Sequence, residues 1–548
     1  MILVNEYLIK ESKRLYNIIL PFIQFYLGYN ILFRFFYPTY EYLEKRKLNK
    51  YYKKFEEILK QIEDKYILEQ KIFSLKEKLF VLSKKYHFDL SSNIQINKEK
   101  FIYSNYQLID IKNYRSILVW RLLYSKGNIL YLEGKDNCIL KSSEYYYFCK
   151  IDNKIFFPKY YYYYGYDTIT MYGNINKGRI IKFDIPLQKV ENQIIQFFLS
   201  YKGYEIEIFP SLGWFCFIPS IFNGYYNSGI FVYKYIGNRL NIYLYNKTLR
   251  ISFEDKYQKE LKKLRKENII KLRNNYYKNK IAMEQNKTII WIINDRKEMA
   301  GDNGEYFFRF LKKKNPSGIK LYFVIKRESP DYKRLKPLEN ILAFDSEDYL
   351  NNFLLAKKII SSVFECWVDN PFGNERKYIK DLFNHDYIFI QHGIIKDDLS
   401  NYINRINKNY KMIVTSTDKE YQSLINHNYY YNIYNVILTG LPRYDNLKNK
   451  TNINDKGKII AIIPSWRKFI SEAYDSRTHE SIYSQTFCLT NFFTFYNDLI
   501  NEKNLIINMK KYNYSGIFCL HPNFSKQWID FRQNEVFSVL NICNYQNI

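Results

Sequence analysis

Five apolar runs in the second half of the chain each lead directly into polar residues. The runs and their polar ends are Tyr387–Ile390 with Gln391-His392-Gly393, Met412–Val414 with Thr415-Ser416, Asn435–Leu438 with Gly440-Leu441-Pro442-Arg443, Ile459–Ile463 with Pro464-Ser465-Trp466-Arg467, and Ile517–Leu520 with His521-Pro522. Short apolar runs bounded in this way are typical of buried β-strands. Because open α/β sheets bind ligands at the carboxyl ends of their strands, the pattern predicts parallel sheets with ligand-binding residues at those edges.

From Thr288 onward, further apolar strands alternate with amphipathic helices, which predicts a parallel sheet. The predicted strands are Ile289–Ile293, Leu321–Ile325, Ile341–Phe344 and Lys358–Ser361, with helices near Tyr306–Leu311 and Tyr349–Leu355. The polar, asparagine-rich segment Leu447–Lys456 is typical of a linker and separates two α/β domains, 286–450 and 457–548. Two Rossmann-type domains that face each other across a cleft describe a GT-B-like architecture.

The amino-terminal half has a different pattern. Between about 40 and 87, apolar residues recur every three or four positions, so residues 1–95 are predicted to form a helical region. Residues 96–253 contain short β-prone runs separated by Gly, Asn and Asp turns, which predicts a β-rich accessory domain built as a small antiparallel sandwich. The strongly charged segment 254–285 has a helical pattern and is predicted to be a connecting helix.

The segment from Asn17 to Tyr37 is the candidate for membrane contact. Gln24, Asn30 and Arg34 interrupt its apolar residues, and Pro21 is expected to bend a helix, whereas a membrane-spanning helix is almost free of such groups. Two interpretations remain open: a helix packed on the rest of the protein, and an amphipathic helix in the interface of an anionic membrane. The first residues show no signal-peptide pattern.

The formal net charge is +28, from 83 Lys and Arg against 55 Asp and Glu, so attraction to polyanions or to an anionic membrane surface is expected. The basic residues are spread along the chain without a zinc-finger or helix-turn-helix signature, so nucleic acid is not expected as a partner. The seven cysteines include no CxxC pair. Neither a disulfide framework nor a metal site is therefore predicted, and a reducing cytoplasm is expected.

His392 is the candidate for proton transfer, because an imidazole at a strand end can exchange a proton near neutral pH. The glycine that follows it, Gly393, lets the backbone approach a ligand closely. The alternative is that a lone histidine at a strand end is structural. The polar residues at the neighbouring strand ends favour the ligand-binding interpretation.

Several short sequence motifs lie between about residues 288 and 525. They are Ala300–Glu305 with Phe307–Leu311, Tyr322–Ile325 with Asp331-Tyr332 and Arg334-Leu335, Ile359–Ser362 with Asn370–Phe372, Phe389–Ser400, Val414–Ser416 with Glu420-Tyr421, Leu438–Asp445, Pro464–Arg467 and His521–Asn523. This set resembles the CDP-glycerol glycerophosphotransferase family, the polymerases and primases of teichoic-acid-type polymers. The glutamine-histidine-glycine block together with the glycine-leucine-proline-arginine block is its most specific part.

The resemblance implies a GT-B fold and transfer of glycerol phosphate from CDP-glycerol to an acceptor hydroxyl. It also implies a polymer or lipid-linked acceptor and a peripheral location at the cytoplasmic face of the membrane. The domain at 286–450 corresponds to the acceptor side, and the domain at 457–548 to the donor nucleotide. No cofactor is expected beyond the donor substrate, and a divalent ion bound to the donor diphosphate is left open.

The same resemblance implies roles for individual residues. His392 is the expected general base, and His521 and Arg467 are expected to stabilise the leaving CMP and the diphosphate. Arg443 and Lys396 are expected to hold acceptor phosphate, which suits the planar donor fork of arginine. The remaining members of the expected substrate-binding set are Gln391, Gly393, Ser416 and Ser465.

Plain structural roles for these residues remain open beside the functional ones. Ser465 with its neighbours would cap a helix, His521 would end a strand at a turn, and Arg443 would pair with Asp445. The resemblance also implies a longer donor domain, with an aspartate-tyrosine-serine-serine loop that is not found before Ile548. We therefore expect 457–548 to be a partial domain and the transferase activity to depend on what completes it.

Two other functions remain open at this point. One is a GT-B glycosyltransferase that uses another nucleotide-activated donor, which a screen of donors would separate. The other is a non-catalytic scaffold that keeps only the acceptor-binding half.

Overall fold

The computed structural model describes residues 2–36, 53–88, 90–103, 106–111, 113–114, 117–141, 143–162, 168–170, 173–175, 179–219, 221–426, 428–445, 458–465, 467, 474–475, 480–481 and 483–540. The chain divides into two compact units, Met1–Asn446 and Leu447–Ile548. The predicted linker, Leu447–Lys456, lies outside the described residues.

The first helices bury one face and expose the other. They are Ile2–Tyr16, Pro21–Phe36, 53–59, Asp64–Leu68 and Leu75–Tyr86. In the second helix, Leu27, Ile31 and Leu32 are fully buried in a core shared with the later helices. Pro21 begins this helix, where its fixed φ fits, so the predicted bend is wrong. Within the described part of the chain, no helix has the length and apolar character needed to cross a bilayer.

Residues 94–244 form a β-rich region. Its strands are β1 (Ile94–Asn97), β2 (Lys100–Tyr103), β3 (Tyr106–Asp110), β4 (Leu118–Lys126), β5 (Ile129–Asp136), β6 (Tyr145–Ile151), β7 (Lys154–Phe156), β8 (Lys159–Tyr162), β9 (Thr168–Thr170), β10 (Gly173–Ile175), β11 (Arg179–Pro186), β12 (Asn192–Tyr201), β13 (Tyr204–Ile208), β14 (Ser211–Phe215), β15 (Tyr225–Asn227), β16 (Phe231–Ile236) and β17 (Arg239–Leu244). A short 3₁₀ helix, Leu90–Asn93, precedes them.

Two of the sheets in this region pack face to face. One has five strands in the order β14-β4-β5-β11-β8, and the other has seven, with β15-β16-β17-β12-β6-β7 in line and β13 on β12. Trp120 on β4 contacts Phe183 on β11 and Phe197 on β12, with ring centroids 5.7 and 5.1 Å apart. The two sheets therefore share one core, which is the arrangement of a β-sandwich. Smaller sheets are formed by β1-β2-β3 and by β9-β10.

The predicted connecting helix, 254–285, is two helices rather than one. The first spans Lys247–Lys263 and the second Glu267–Gln285. Between them, Arg265 takes the left-handed conformation with φ 54°, which ends a helix. The two helices are held by Arg273, which is fully buried and bonds to Glu254 and to Asp381 at 2.6–2.9 Å.

The α/β part of the first unit contains a seven-stranded sheet whose ladders are all parallel. The strands are β18 (Ile289–Asn294), β19 (Ile319–Ile325), β20 (Ile341–Ala343), β21 (Ala356–Ser361), β22 (Asp386–Phe389), β23 (Met412–Thr415) and β24 (Val436–Leu438). The α-helices are Asn303–Lys314, Pro330–Leu335, Glu347–Leu355, Cys366–Asp369, Ser400–Ile403, Arg405–Lys408 and Asp418–Asn426, with 3₁₀ helices at Lys336–Leu338, Gly373–Tyr378, Lys380–Leu382 and Pro442–Tyr444. The parallel α/β sheet predicted from the sequence is confirmed.

The strand order of this sheet identifies a switch point. The order is β20-β19-β18-β21-β22-β23-β24, so the chain first winds outward from β18 and then returns to add strands on its other side. The crevice between the carboxyl ends of β18 and β21 is therefore the topological switch point, where ligands bind in open α/β sheets.

The second unit contains a smaller parallel sheet. Its strands are β25 (Lys458–Ile462), β28 (Tyr514–Cys519) and β29 (Phe537–Leu540) in the order β25-β28-β29, and β26 (Tyr474–Asp475) pairs with β27 (Glu480–Ser481). Its helices are Asn491–Ile500 and Lys503–Lys511, with 3₁₀ helices at Phe487–Leu489 and Pro522–Asp530. Gly516 lies opposite Phe537, and a side chain there would overlap the Phe537 ring.

Arg273→Met is expected to lower the free energy of unfolding by about 3–5 kcal/mol, because it leaves two buried carboxylates without their cation. The control is Lys271→Met on the same helix, where an exposed pair with Glu347 contributes less than about 1 kcal/mol. Urea unfolding of both variants measures the difference. Equal stability of the two variants would show that the buried cluster does not hold these helices.

The Arg273 cluster also predicts a pH dependence that Glu254 carries, because burial raises the pKa of its other carboxyl partner, Asp381. Burial alone would raise the pKa of Glu254, but the Arg273 guanidinium outweighs it and holds that pKa at about 2, below the value of about 4.3 for an unfolded chain. The Glu254–Arg273 pair therefore contributes its full stabilisation at pH values above the pKa of Glu254 in the unfolded chain. This contribution is lost as the pH falls toward 2. Unfolding measured across this range should show the gap between wild type and Arg273→Met closing in acid.

Candidate active site

The carboxyl ends of five adjacent strands bring the candidate residues of the first unit to one edge. Asp295 follows β18, Ser362 follows β21, His392 lies just beyond β22, Ser416 follows β23, and Arg443 lies in the turn beyond β24. Since these strands are parallel neighbours, their carboxyl ends share an edge of the sheet. The structure therefore places the predicted residues His392, Ser416 and Arg443 at the same edge as Asp295 and Ser362, which the sequence did not single out.

His392 is exposed to solvent and oriented by one hydrogen bond. Its Nδ1 lies 3.2 Å from the carbonyl oxygen of Ser362. A carbonyl oxygen can only accept, so Nδ1 carries the proton in this contact and Nε2 of the neutral ring keeps its lone pair. The contact selects the tautomer that a general base requires.

Gln391 anchors the turn that carries His392. Its backbone has φ 57° in the left-handed region, and its side chain is buried. The side-chain Nε2 donates to the carbonyl of Val414 at 2.5 Å, which ties the turn to β23. A left-handed backbone conformation is costly for a residue other than glycine. The hydrogen bond to Val414 therefore helps to hold Gln391 in this conformation.

Asn303 joins two of the loops at this edge. It is fully buried at the start of the helix Asn303–Lys314. Its Nδ2 donates to the carbonyl of Gln391 at 2.6 Å, and its Oδ1 accepts from the backbone N–H of Arg443 at 3.1 Å. The Arg443 guanidinium then bonds to Asp302 at 2.8 Å. The pairing of Arg443 with Asp445 that the sequence left open is replaced by this contact with Asp302.

Asp295 fixes the helix from which Asn303 and Asp302 project. Its buried carboxylate accepts from the backbone N–H groups of Asp302, Gly304 and Glu305 at 3.0, 2.7 and 3.0 Å. Burial raises the pKa of Asp295 to about 7, and the nearby carboxylate of Asp302 adds to the effect. Gly304 is required beside it, because a Cβ there would lie 2.5 Å from the Asp295 carboxylate.

Glu420 fixes the segment that follows His392. Its buried carboxylate accepts from the backbone N–H of Ile395 at 2.7 Å and from that of Ser416 at 2.8 Å. Ser416, predicted to bind substrate, thus joins β23 to this segment through its backbone, and its hydroxyl is 3.4 Å from Glu420. Lys396 lies on the same segment with its side chain exposed.

Gly393 is not required by the protein's own packing. A Cβ at this position would meet no atom within 4 Å, and its φ lies outside the left-handed region. The expected close approach of a ligand to this backbone stays a prediction, and the space beside Gly393 is open for it.

In the second unit, the predicted residues lie at the ends of two adjacent parallel strands. Ser465 and Arg467 are exposed just beyond β25, and the Arg467 guanidinium is 3.4 Å from the carbonyl of Ser465. His521 is half-buried just beyond β28, the neighbour of β25 in the sheet. Trp466 lies outside the described residues.

Sequence reasoning missed Asp295, Asn303 and Glu420 as parts of this site. Asp295 directly follows an apolar strand, which was a usable signal, but its bonds to a helix start several residues later are not visible in a pattern. Across the described part of the chain, no group of three or more His, Cys, Asp or Glu side chains is placed to hold a metal ion.

Comparison with known proteins gives a family match and a close relative. The model of the family described as CDP-Glycerol:Poly(glycerophosphate) glycerophosphotransferase matches residues 275–547. The chain is similar to the minor teichoic acid biosynthesis protein GgaB of Bacillus subtilis (strain 168), with 30% identity over 526 residues. This similarity covers 90% of the chain and 55% of GgaB, so the chain spans about half the length of that relative.

Solved structures of the wall teichoic acid polymerase TagF show a more distant similarity. One TagF structure has a TM-score of 0.31 and 13% identity, covering 54% of this chain and 69% of TagF. A TagF variant soaked with CDPG has a TM-score of 0.32 and 13% identity, covering 53% of this chain and 70% of TagF. Scores this low support no argument about the fold, which rests on the strands described above.

Asn303→Asp is expected to loosen the turn that carries His392. Aspartate keeps an acceptor for the Arg443 amide but cannot donate to the Gln391 carbonyl, and the unpaired buried groups cost about 1–3 kcal/mol. Amide hydrogen exchange across residues 390–394 should become faster. The control is Asn274→Asp, where the side-chain oxygen already accepts from Gln258 and that bond is kept. Unchanged exchange at 390–394 would contradict the anchoring role of Asn303.

Proposed function

Residues 275–547 belong to the CDP-glycerol:poly(glycerophosphate) glycerophosphotransferase family, and from that premise we propose that the chain transfers glycerol phosphate from CDP-glycerol to an acceptor hydroxyl. The proposed setting is the synthesis of a teichoic-acid-like or capsular polymer. The similarity to GgaB, whose name places it in minor teichoic acid biosynthesis, supports this setting.

The orientation of His392 is the observation that carries the proposal. With Nδ1 donating to the Ser362 carbonyl, Nε2 can accept the proton of the acceptor hydroxyl as its oxygen attacks the β-phosphorus of CDP-glycerol. A new oxygen–phosphorus bond forms, the bond to the CMP oxygen breaks, and CMP leaves with the bonding electron pair. A positioned imidazole contributes about 10²–10⁴-fold to such a transfer.

Positive charge near the carboxyl edge supports binding of phosphate groups. Arg443 is about one-third exposed, and its pair with Asp302 holds it in the turn beyond β24. We assign Arg443 and Lys396 to acceptor phosphate, with Gln391, Gly393 and Ser416 shaping the same site. The proposal assigns charge neutralisation to these cations and proton transfer to the imidazole, without a resident cofactor.

For the second unit, we assign Ser465, Arg467 and His521 to the CMP and diphosphate of the donor. Their places at neighbouring strand ends support this assignment, because ligands bind beyond the carboxyl ends of parallel strands. The finer architecture that we propose is a GT-B-like pair of Rossmann-type domains. Its support is a parallel sheet in each unit.

We further propose that the protein acts as a peripheral protein at the cytoplasmic face of an anionic membrane. The first two helices and the segment between them expose a set of large apolar side chains, namely Val4, Tyr7, Leu15, Tyr16, Ile18, Phe22, Phe25 and Tyr26. Lys10 and Arg14 are exposed on the same helices. Apolar residues beside basic ones are typical of interfacial helices, and a lipid-linked acceptor would be met at that surface.

His392→Ala is expected to reduce CMP release from CDP-glycerol by at least about 100-fold, because it removes the base. Release is measured with purified protein and a glycerol phosphate or lipid-linked acceptor. The control is His87→Asn, an exposed histidine with φ 59° that asparagine tolerates. A panel of other nucleotide-activated donors runs in parallel. Undiminished CMP release by the His392 variant would refute the assignment of His392 as the general base. Turnover of another nucleotide-activated donor, without turnover of CDP-glycerol, would refute CDP-glycerol as the donor.

Phe22→Glu is expected to weaken binding to phosphatidylglycerol vesicles, because it places a carboxylate in the apolar face of the second helix. Phe22 is 69% exposed, so folding should not change. The matched control is Phe222→Glu, which alters a 74% exposed phenylalanine of the β-rich region. Co-sedimentation measures binding, and an equal loss in both variants would contradict docking through the first helices.

A further inference from the structure

The first unit contains a polar cavity whose lining differs from the set of residues around His392. It has a volume of about 580 Å³ and is lined by the β-rich region on one side and by the α/β part on the other. Asn407 and Lys408, on its wall, lie on the helix Arg405–Lys408 that comes before β23, and Cys366 and Asp369 lie on the helix that comes after β21. None of its lining residues belongs to the set around His392.

The lining of this cavity is strongly cationic. Five basic residues and one acidic residue, Asp369, contribute to it. The basic residues are Arg121, Arg376, Lys377, Lys380 and Lys408. Such an excess of one charge in a concave site raises the local concentration of anions.

Arg376 is a buried arginine of this lining with unsatisfied hydrogen-bond donors. It is only 6% exposed, and within the described residues its Nε and Nη2 have no hydrogen-bond partner. Its guanidinium lies over the Trp214 ring, 4.1 Å from the centroid, and this contact leaves Nε and Nη2 available as donors. A buried cation without a carboxylate is costly, whereas an arginine fork fits phosphate closely.

The nearby carboxylate is already engaged by other groups. Asp369 accepts from Lys408 at 3.0 Å and from the Trp214 indole N–H at 3.2 Å. Its negative charge favours the Arg376 cation from a distance, but its hydrogen bonds go to those two groups. The second buried cation, Lys380, is 4% exposed, and burial lowers its pKa to about 8. Two desolvated cations thus line one cavity in which Asp369 is the single acidic residue.

We propose that this cavity binds a phosphate group of a ligand, held by Arg376 and Lys380, at a site separate from the His392 edge. The volume is within the range of small-ligand pockets, about 300–1,000 Å³, and accommodates one phosphate with the glycerol units beside it. The phosphate comes either from a phosphodiester of a polymer or from a small phosphate monoester. Both sources present the same oxygens to the two cations.

The test is calorimetric titration of the whole chain in phosphate-free buffer, with inorganic phosphate and with bis(glyceryl) phosphate as probes. Saturable binding is expected, and Arg376→Met and Lys380→Met should each weaken it by at least about tenfold. Lys234→Met is the matched control, because Lys234 is another buried lysine and lies outside the cavity. Tighter binding of the diester assigns the site to polymer, and tighter binding of inorganic phosphate assigns it to a monoester.

Saturating CDP-glycerol separates this site from the proposed donor site. Phosphate binding should persist in its presence. Displacement by CDP-glycerol, absence of binding to the wild type, or unchanged binding by Arg376→Met would each overturn the proposal. A cooperative thermal unfolding transition in Arg376→Met and in Lys380→Met shows that each variant is folded, so that a loss of phosphate binding is assigned to the lost cation.

Discussion

One buried carboxylate holds together the edge on which the candidate site is built. Asp295 accepts three backbone N–H groups at the start of the helix that follows β18. That helix start carries Asn303, which bonds to the His392 turn and to the Arg443 turn. Three loops that would otherwise move independently are thereby fixed to one strand end. The position of the His392 ring is thus a consequence of bonds made far from it in the sequence.

The strands of the α/β part could be predicted because buried parallel strands are short apolar runs with polar ends. The residues at those ends were found for the same reason, and the structure brings His392, Ser416 and Arg443 to one edge of a sheet. The sequence did not predict that the connecting helix is interrupted at Arg265. A glycine at this position would have indicated a left-handed residue that ends a helix, whereas an arginine does not. Pairings between distant segments, such as Asn303 with Gln391, leave no local pattern at all.

The high net charge of +28 has a structural counterpart that composition alone does not reveal. Most basic residues are exposed, but Arg273 and Arg376 are buried in contrasting ways. Arg273 has two carboxylates and joins two helices to the sheet. Arg376 stacks on Trp214 without a carboxylate bond. The same residue type thus joins two helices to the sheet in one place, and in the other it is the residue to which we assign phosphate binding.

We propose that the acceptor binds at the carboxyl edge of the seven-stranded sheet, with its hydroxyl at Nε2 of His392. A crystal structure with CDP-glycerol and a glycerol phosphate acceptor bound tests it most directly. We expect the acceptor hydroxyl within about 2.6–3.2 Å of Nε2 of His392 and the acceptor phosphate near Arg443. An acceptor bound elsewhere, with the His392 ring facing solvent, would contradict it.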